Sequence, residues 1–144
     1  MFRRHPILAV VTFAYLGVVA FITLLPQPPQ PAANSVFRMA LAFFANYPES
    51  RWLTYQRLEF SANVLMFVPI GLFFLLLFGR KWWFVSVLAG VALTVTIEFV
   101  QRYIPGRVSD VSDIIANSTG TFVGVAVALI VTTPAALRLR RQRA

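Results

Sequence analysis

The chain has 144 residues, which is within the range of a single domain, and 58% of them are hydrophobic, too many for a soluble domain of this size. Its net charge is +8, but the basic residues lie in short clusters between apolar runs, which argues against a nucleic-acid partner. The absence of cysteine excludes disulfides and thiolate chemistry. Two uncharged runs, residues 60–79 and 114–137, are each long enough to cross a hydrocarbon core of about 30 Å. The composition therefore predicts an integral membrane protein.

The first apolar segment, residues 7–25, follows a basic N-terminus and ends at the proline-rich run Pro26–Pro31. Secretory signal peptides share this pattern, and Ala32-Ala33 could serve as a cleavage site. However, the apolar stretch is longer than the roughly 7 to 15 residues of a signal peptide, which favours an uncleaved membrane-spanning helix. The prolines then prevent the helix from continuing.

The rest of the chain contains one short and three long apolar segments. Residues 36–45 are too few to span a membrane, so they predict a helix that lies at the membrane interface. The three longer segments are residues 62–79, 82–102 and 111–133. Pro69 lies inside the first of these and predicts a kink. The predicted fold is therefore an all-α membrane protein, in which residues 1–144 form one transmembrane domain, a four-helix bundle with a short interfacial helix between helices one and two.

The basic residues predict the orientation of the bundle. Eight of the 13 lie in the N-terminal segment, the Arg80-Lys81 turn and the C-terminal tail, which all fall on one side of a four-helix arrangement. Because cytoplasmic loops carry an excess of Lys and Arg, both termini are predicted to be cytoplasmic and residues 26–61 extracytoplasmic. The acidic residues then all fall at or near the outer face: Glu49, Glu59, Glu98, Asp110 and Asp113.

Polar side chains gather at this outer end of the predicted bundle. Asn63 lies near the start of helix two, Glu98 and Gln101 lie near the end of helix three, and Asp113 and Asn117 lie near the start of helix four. Helical spacing places Glu98 and Gln101 on one face, and it places Asp113 and Asn117 on one face. The five side chains are therefore predicted to be neighbours at a similar depth.

Gly120 and Gly124 continue the polar face of helix four as a stripe of small residues, which would let another helix approach closely. Because the stripe shares its face with polar residues, we expect it to pack within the bundle in preference to a second copy of the chain. The oligomeric state is left open by the sequence.

Several of these polar residues also have a purely structural interpretation. Asp110 is best explained as the N-cap of helix four, and Asn63 could make an interhelical hydrogen bond. Arg102 and Arg107 could pair with the carboxylates or with lipid phosphates. A carboxylate at the centre of a membrane span costs on the order of 2.5 to 3.5 kcal/mol, so Glu98 needs a partner, which Arg102 could provide. Glu98 is either part of a functional polar pocket, which we favour, or half of a buried ion pair.

The chemistry available at this end is limited. The only histidine, His5, belongs to the opposite end, which excludes serine–histidine catalysis and a histidine metal site. Oxygen atoms of Glu98, Asp110, Asp113 and Asn117 could hold Mg²⁺ or Ca²⁺, but their spacing matches no recognised ligand signature. No metal or other cofactor is therefore predicted. Glu98 and Asp113 are the candidates for acid or base catalysis.

Two sequence blocks combine polar residues and glycines at fixed spacing. They are N-V-L-M-F-V-P-I-G, Asn63–Gly71, and E-F-V-Q-R-Y-I-P-G-R-V-S-D-V-S-D-I-I-A-N-S-T-G-T-F-V-G, Glu98–Gly124. Both resemble the VanZ-like family, whose founding member is associated with low-level resistance to the glycopeptide teicoplanin. The resemblance implies a small multi-pass protein of the bacterial cytoplasmic (inner) membrane. Its motif marks Asn63, Pro69, Gly71, Glu98, Gln101, Arg107, Asp110, Asp113, Asn117, Gly120 and Gly124, of which we assign Gly71, Gly120 and Gly124 to helix packing.

Two functions from different classes fit these observations. The first is a non-enzymatic envelope protein that binds an amphipathic ligand, such as a cell-wall lipid precursor or a lipoglycopeptide, in an outward polar pocket. The second is a membrane enzyme that modifies a lipid headgroup or an envelope glycan, with Glu98 or Asp113 as acid or base. A transporter is a third alternative, although four helices are few for one. Membrane lipids are the predicted partners, and the predicted ligand-binding residues are Asn63, Glu98, Gln101, Arg102, Arg107, Asp110, Asp113 and Asn117.

Overall fold

The computed structural model of the chain describes residues 6–26, 54–107 and 109–141, together with the single residues Met39 and Phe43. The main helices are α1 (Pro6–Leu24), α2 (Tyr55–Phe78), α3 (Trp83–Gln101) and α4 (Val111–Arg141), and a short 3-10 helix, Arg80–Trp82, precedes α3. The described part of the chain contains no strand, which confirms the predicted all-α class. The predicted interfacial helix, residues 36–45, lies outside the described residues except for Met39 and Phe43.

Four segments are long and apolar enough to cross a membrane: Pro6–Leu24, Tyr55–Phe78, Arg80–Gln101 and Val111–Thr133. Large apolar side chains such as Ile7, Phe21, Leu88 and Ile130 are exposed along them. In a protein of this size such surfaces indicate helices that face acyl chains, because water would not tolerate so much contiguous apolar area. The prediction of a multi-pass membrane protein with four spanning helices is confirmed.

The second helix begins earlier than predicted, at Tyr55 instead of residue 62. The cause is Thr54, whose hydroxyl oxygen accepts the backbone N–H of Arg57 at 3.3 Å and so caps the helix. The first turns of α2 therefore include Gln56, Arg57 and Glu59, which the sequence analysis assigns to an extracytoplasmic segment. The helix continues through Pro69 and ends at Phe78, and the next residue, Gly79, has a φ of 87° that few other residues adopt.

Helices α2 and α4 form the most extensive helix pair, because glycines allow their backbones to touch. A methyl group added at Gly120 would overlap the carbonyl of Val64, and one added at Gly124 would overlap the next turn of α2. In the opposite direction, Gly71 of α2 lies against the backbone of Thr121. The stripe of small residues on α4 therefore faces α2 inside the bundle.

The other two helices pack around this pair. Gly90 of α3 lies against the side chain of Thr121, and buried Ile97 of α3 joins Val19 of α1 and Phe67 of α2 in one apolar cluster. The first helix has the smallest buried share of the four spans and packs mainly against α2 and α3. The hydroxyl of Tyr15 donates to the carbonyl of Met66 at 2.9 Å and so fixes the middle of α1 to α2.

The two ends of the bundle are joined differently. At one end Arg80 donates to the carbonyl of Leu129 at 2.5 Å and to the hydroxyls of Thr132 and Thr133 at 2.6 and 3.1 Å, which connects the α2–α3 turn to α4. At the other end the C-termini of α1 and α3 meet the N-termini of α2 and α4. We call this second end the polar end.

The glycine contacts predict that adding one methyl group to the α2–α4 interface is costly. We expect Gly120→Ala to lower the free energy of unfolding by about 1 to 3 kcal/mol, because the new methyl group would force the two backbones apart. Titration of the purified chain with a denaturing detergent would measure the loss. Gly17→Ala is the matched control, because nothing lies within 4 Å of the methyl group that it adds. Equal stability of the two variants would contradict the proposed packing.

Candidate functional site

The polar end begins with a hydrogen bond between α2 and α4. The side-chain amide of Asn63 donates to the carboxylate of Asp113 at 2.7 Å. Asp110 caps α4, because its carboxylate accepts the backbone N–H of Ser112 at 2.8 Å and its carbonyl accepts that of Asp113 at 3.0 Å. Because Asp110 accepts backbone N–H groups at the start of α4, the carboxylate of Asp113 is not needed as a cap. It can therefore accept from Asn63 on α2.

Glu98 is buried, with 3% of its surface exposed. Its carboxylate accepts the backbone N–H of Asp110 at 3.1 Å and a hydrogen bond from the side chain of Ser109. Arg102, the partner that helical spacing offers, is exposed, and the described residues show no ion pair between it and Glu98. The carboxylate instead accepts from the loop that follows α3. Glu98 therefore anchors the α3–α4 loop.

Asn117 lies one helical turn deeper than Asp113. Its amide donates to the hydroxyl of Thr94 at 2.9 Å and so connects α4 to α3, and both residues are buried. The other atom of that amide, Asn117 Oδ1, is buried without a hydrogen-bond partner. A buried acceptor left unpaired costs about 1 to 3 kcal/mol, so a donor is to be expected at this position.

Two further predicted residues attach to α1. The amide of Gln101 donates to the carbonyl of Thr23 at 2.9 Å. The guanidinium of Arg107 donates through Nη2 to the carbonyl of Ile22 at 2.6 Å and through Nε to that of Leu25 at 3.2 Å. Carbonyls in the last turn of a helix lack donors of their own and lie at the negative end of the helix dipole. Gln101 and Arg107 therefore complete the C-terminus of α1.

Arg107 also provides positive charge near the acidic groups. Burial lowers the pKa of its guanidinium, and the carboxylates of Asp113 and Glu98 lie close enough to oppose that shift. An arginine stays protonated under these conditions, because its ordinary pKa is far above neutrality. Of the two pairings that the sequence leaves open for Arg107, the structure shows proximity to carboxylates, and two of its nitrogens are engaged by α1.

Two adjoining clefts open between the first turns of α2 and the start of α4. The acidic cleft has a volume of about 240 Å³ and is lined by Gln56, Glu59, Phe60, Asp110, Ser112 and Asp113. The Arg57 cleft has a volume of about 360 Å³ and is lined by Gln56, Arg57, Phe60, Ser61 and Ser112. The three shared residues, Gln56, Phe60 and Ser112, show that the two spaces are neighbours.

The structure separates the predicted ligand-binding residues into groups. Asp110 and Asp113 line the acidic cleft, Asn63 and Glu98 bond to these two residues, and Asn117 lies beneath them. Gln101 and Arg107 are directed to α1, and Arg102 is exposed on the loop. Among the described residues, no three or more His, Cys, Asp or Glu side chains are placed to hold a metal ion.

Sequence reasoning missed the contribution of α2 to the clefts. Gln56, Glu59 and Phe60 were placed before the second helix, although they precede Asn63 by seven, four and three residues. That spacing puts them on one helical face. Thr54 was the available signal, because threonine is a preferred N-cap and would have extended the helix to include them.

A model of the VanZ/LLP1 family matches residues 12–132, which include most of α1, all of α2 and α3, and α4 as far as residue 132. The chain belongs to the VanZ/LLP1 family. The resemblance inferred from the two sequence blocks is confirmed. No curated protein and no solved structure matches the chain.

In this VanZ/LLP1 protein, we expect Arg107→Ala to loosen the last turn of α1. Two hydrogen bonds from a charged donor would be lost, so amide hydrogen exchange at residues 20–25 should become roughly tenfold faster or more. Arg102→Ala is the control, because Arg102 is exposed on the same loop. If both variants accelerated exchange equally, the conclusion that Arg107 holds the C-terminus of α1 would be wrong.

Proposed function

We propose that this VanZ/LLP1 protein is a non-enzymatic envelope protein that binds the polar head of an amphipathic ligand in the acidic cleft. The ligand class is a cell-wall lipid precursor or a lipoglycopeptide. The observation that carries the proposal is a polar cleft of about 240 Å³ between the first turns of two membrane-spanning helices. Head groups of amphiphiles lie at this boundary between hydrocarbon and water.

The surface below the clefts supports this proposal. Leu65 lies one turn beyond Ser61 on α2, and Ile115 lies one turn beyond Ser112 on α4; both are exposed, at 70% and 55%. A ligand with its head in the cleft can therefore lay its apolar chain along these side chains. A purely water-soluble ligand would not use this surface.

The catalytic alternative receives less support from the geometry. Of the two candidate acids or bases, Asp113 lines the acidic cleft, whereas Glu98 holds the α3–α4 loop through Asp110 and Ser109. A binding function needs only the cleft, so it is the one we propose. A link to glycopeptide resistance enters only through the family, whose founding member is associated with low-level teicoplanin resistance.

The proposal includes an orientation and a location. We place the protein in the bacterial cytoplasmic membrane with both termini in the cytoplasm and the polar end outside. The support is the distribution of charge, since the Arg80-Lys81 turn and the end of α4, which carries Arg138, Arg140 and Arg141, belong to the opposite end of the bundle.

The orientation predicts which residues are accessible from outside. The natural chain has no cysteine, so a single introduced thiol reports its own position. Tyr103→Cys, at the polar end, should react with a membrane-impermeant maleimide added to intact spheroplasts, and Lys81→Cys should react only after permeabilisation. Both residues are exposed, so a difference in burial would not explain the result. The reverse labelling pattern would refute the orientation.

If the acidic cleft binds the ligand, a large side chain that fills the cleft should weaken binding. The probes are a purified undecaprenyl-linked cell-wall precursor and teicoplanin, each titrated against the purified full chain in detergent. We expect at least one probe to bind, and Ser112→Trp to weaken that binding by about tenfold or more, because the indole occupies the space of the head group. The matched control is Thr96→Trp, at an exposed position on α3 that lines neither cleft. Binding of neither probe, or equal binding to both variants, would reject the proposal.

A further inference from the structure

The end of the bundle opposite the polar end carries positive charge that no carboxylate balances within the described residues. The acidic residues that the structure describes all belong to the polar end: Glu59, Glu98, Asp110 and Asp113. Basic residues lie at the opposite end, in the α2–α3 turn and in the last turns of α4: Arg80, Lys81, Arg138, Arg140 and Arg141. The described residues therefore leave this end without a counter-ion.

Arg80 shows why the charge is not cancelled locally. Its guanidinium donates to the carbonyl of Leu129 and to the hydroxyls of Thr132 and Thr133. These three acceptors are neutral, so they satisfy N–H donors of Arg80 without balancing its charge. A cation beside a hydrocarbon core is most stable where an anion lies close to it. Arg80 joins α4 to the α2–α3 turn and at the same time makes that turn attractive to an anion.

The α2–α3 turn also presents exposed donors and an aromatic surface. Lys81 is exposed, and Trp82 and Trp83 are 46% and 45% exposed. In the part of the chain that the structure describes, neither the ammonium of Lys81 nor the two indole N–H groups have a hydrogen-bond partner. Both indoles contact Phe84, with ring centroids 5.7 and 6.3 Å from its centroid. We call Lys81, Trp82, Trp83 and Phe84 the Lys81 patch.

Apolar surface continues from the Lys81 patch along α3. Phe84 is 44% exposed, and Leu88, one helical turn further on, is 62% exposed. Both belong to a segment that is long and apolar enough to cross a membrane. A molecule with a polar group at Lys81 can therefore lay an apolar chain against Phe84 and Leu88. A soluble anion would use only the first part of this surface.

We infer that the Lys81 patch binds the head group of an anionic phospholipid. Phosphate oxygen atoms accept hydrogen bonds, and the patch offers an ammonium group and two indole N–H donors. Tryptophan side chains favour the head-group level of a bilayer, and Lys and Arg clusters next to a spanning helix attract anionic lipids. A zwitterionic head group would leave the charge of this end unbalanced. The patch lies at the other end of the bundle from the acidic cleft, so the inference does not depend on the proposed function.

The test uses the tryptophans of the patch as local reporters. The chain has three tryptophans, so in a Trp52→Phe variant all the tryptophan fluorescence comes from Trp82 and Trp83. The full chain carrying this substitution is reconstituted in vesicles of equal amounts of phosphatidylglycerol and phosphatidylcholine, with brominated acyl chains on one lipid or on the other. Bromine quenches the tryptophans that its lipid contacts. We expect the quenching to give an association constant about fivefold larger for phosphatidylglycerol, since one basic residue near a membrane surface favours anionic lipid by about this factor.

Charge variants in the Trp52→Phe background locate the site. Lys81→Gln should lower the preference to about twofold or less, whereas Lys81→Arg keeps the charge and should keep the preference. Arg102→Gln is the matched control, because it removes one positive charge from an exposed position at the polar end and should leave the preference unchanged.

Three results would overturn the inference. The first is equal quenching by the two brominated lipids. The second is an equal loss of preference in Lys81→Gln and Arg102→Gln, which would assign the effect to net charge instead of the Lys81 patch. The third is an equal loss in Lys81→Gln and Lys81→Arg, since the arginine retains the positive charge.

Discussion

The close approach of α2 and α4 is the constraint on which the rest of the structure depends. Both helices run in the same direction from the polar end, so one register applies along their whole contact. Asn63 meets Asp113, and eight residues further along each helix Gly71 meets Thr121. The glycines therefore do more than permit contact. They set the register that brings Asn63 and Asp113 together. Any larger residue that separated the two backbones would also displace the carboxylate of Asp113 from Asn63.

The polar residues of the bundle divide into two groups by depth. The buried ones connect elements: Asn117 binds Thr94 across α3 and α4, Gln101 binds the end of α1, and Glu98 binds the loop that starts α4. In a membrane an unpaired polar group is costly, so these bonds are what allow such residues to lie inside the helices. The carboxylates that line the cleft, by contrast, lie at the surface of the polar end, between the first turns of α2 and the start of α4.

Run length and topology predicted the four spans, and they predicted the meeting of Asn63 with Asp113, because helix ends at one face of a bundle must be close. The partner of Glu98 could not be predicted in this way. Spacing offered Arg102 as a partner, but the carboxylate accepts a backbone N–H from Asp110 instead. Backbone donors have no sequence signature. The bonds of Arg107 to α1 were missed for a related reason, since spacing does not show where a long side chain reaches.

The arrangement of α1 decides how a ligand could reach the cleft. This helix packs mainly against α2 and α3 and is completed at its C-terminus by Gln101 and Arg107. Exposed Leu65 and Ile115 lie on α2 and α4 directly below the clefts, so this part of the α2–α4 surface is left uncovered by the other described helices. An amphiphile diffusing in the bilayer can therefore approach with its chain already in hydrocarbon. Under the proposed function, only its head group then exchanges water for the carboxylates, so the cost of desolvation falls on that group alone.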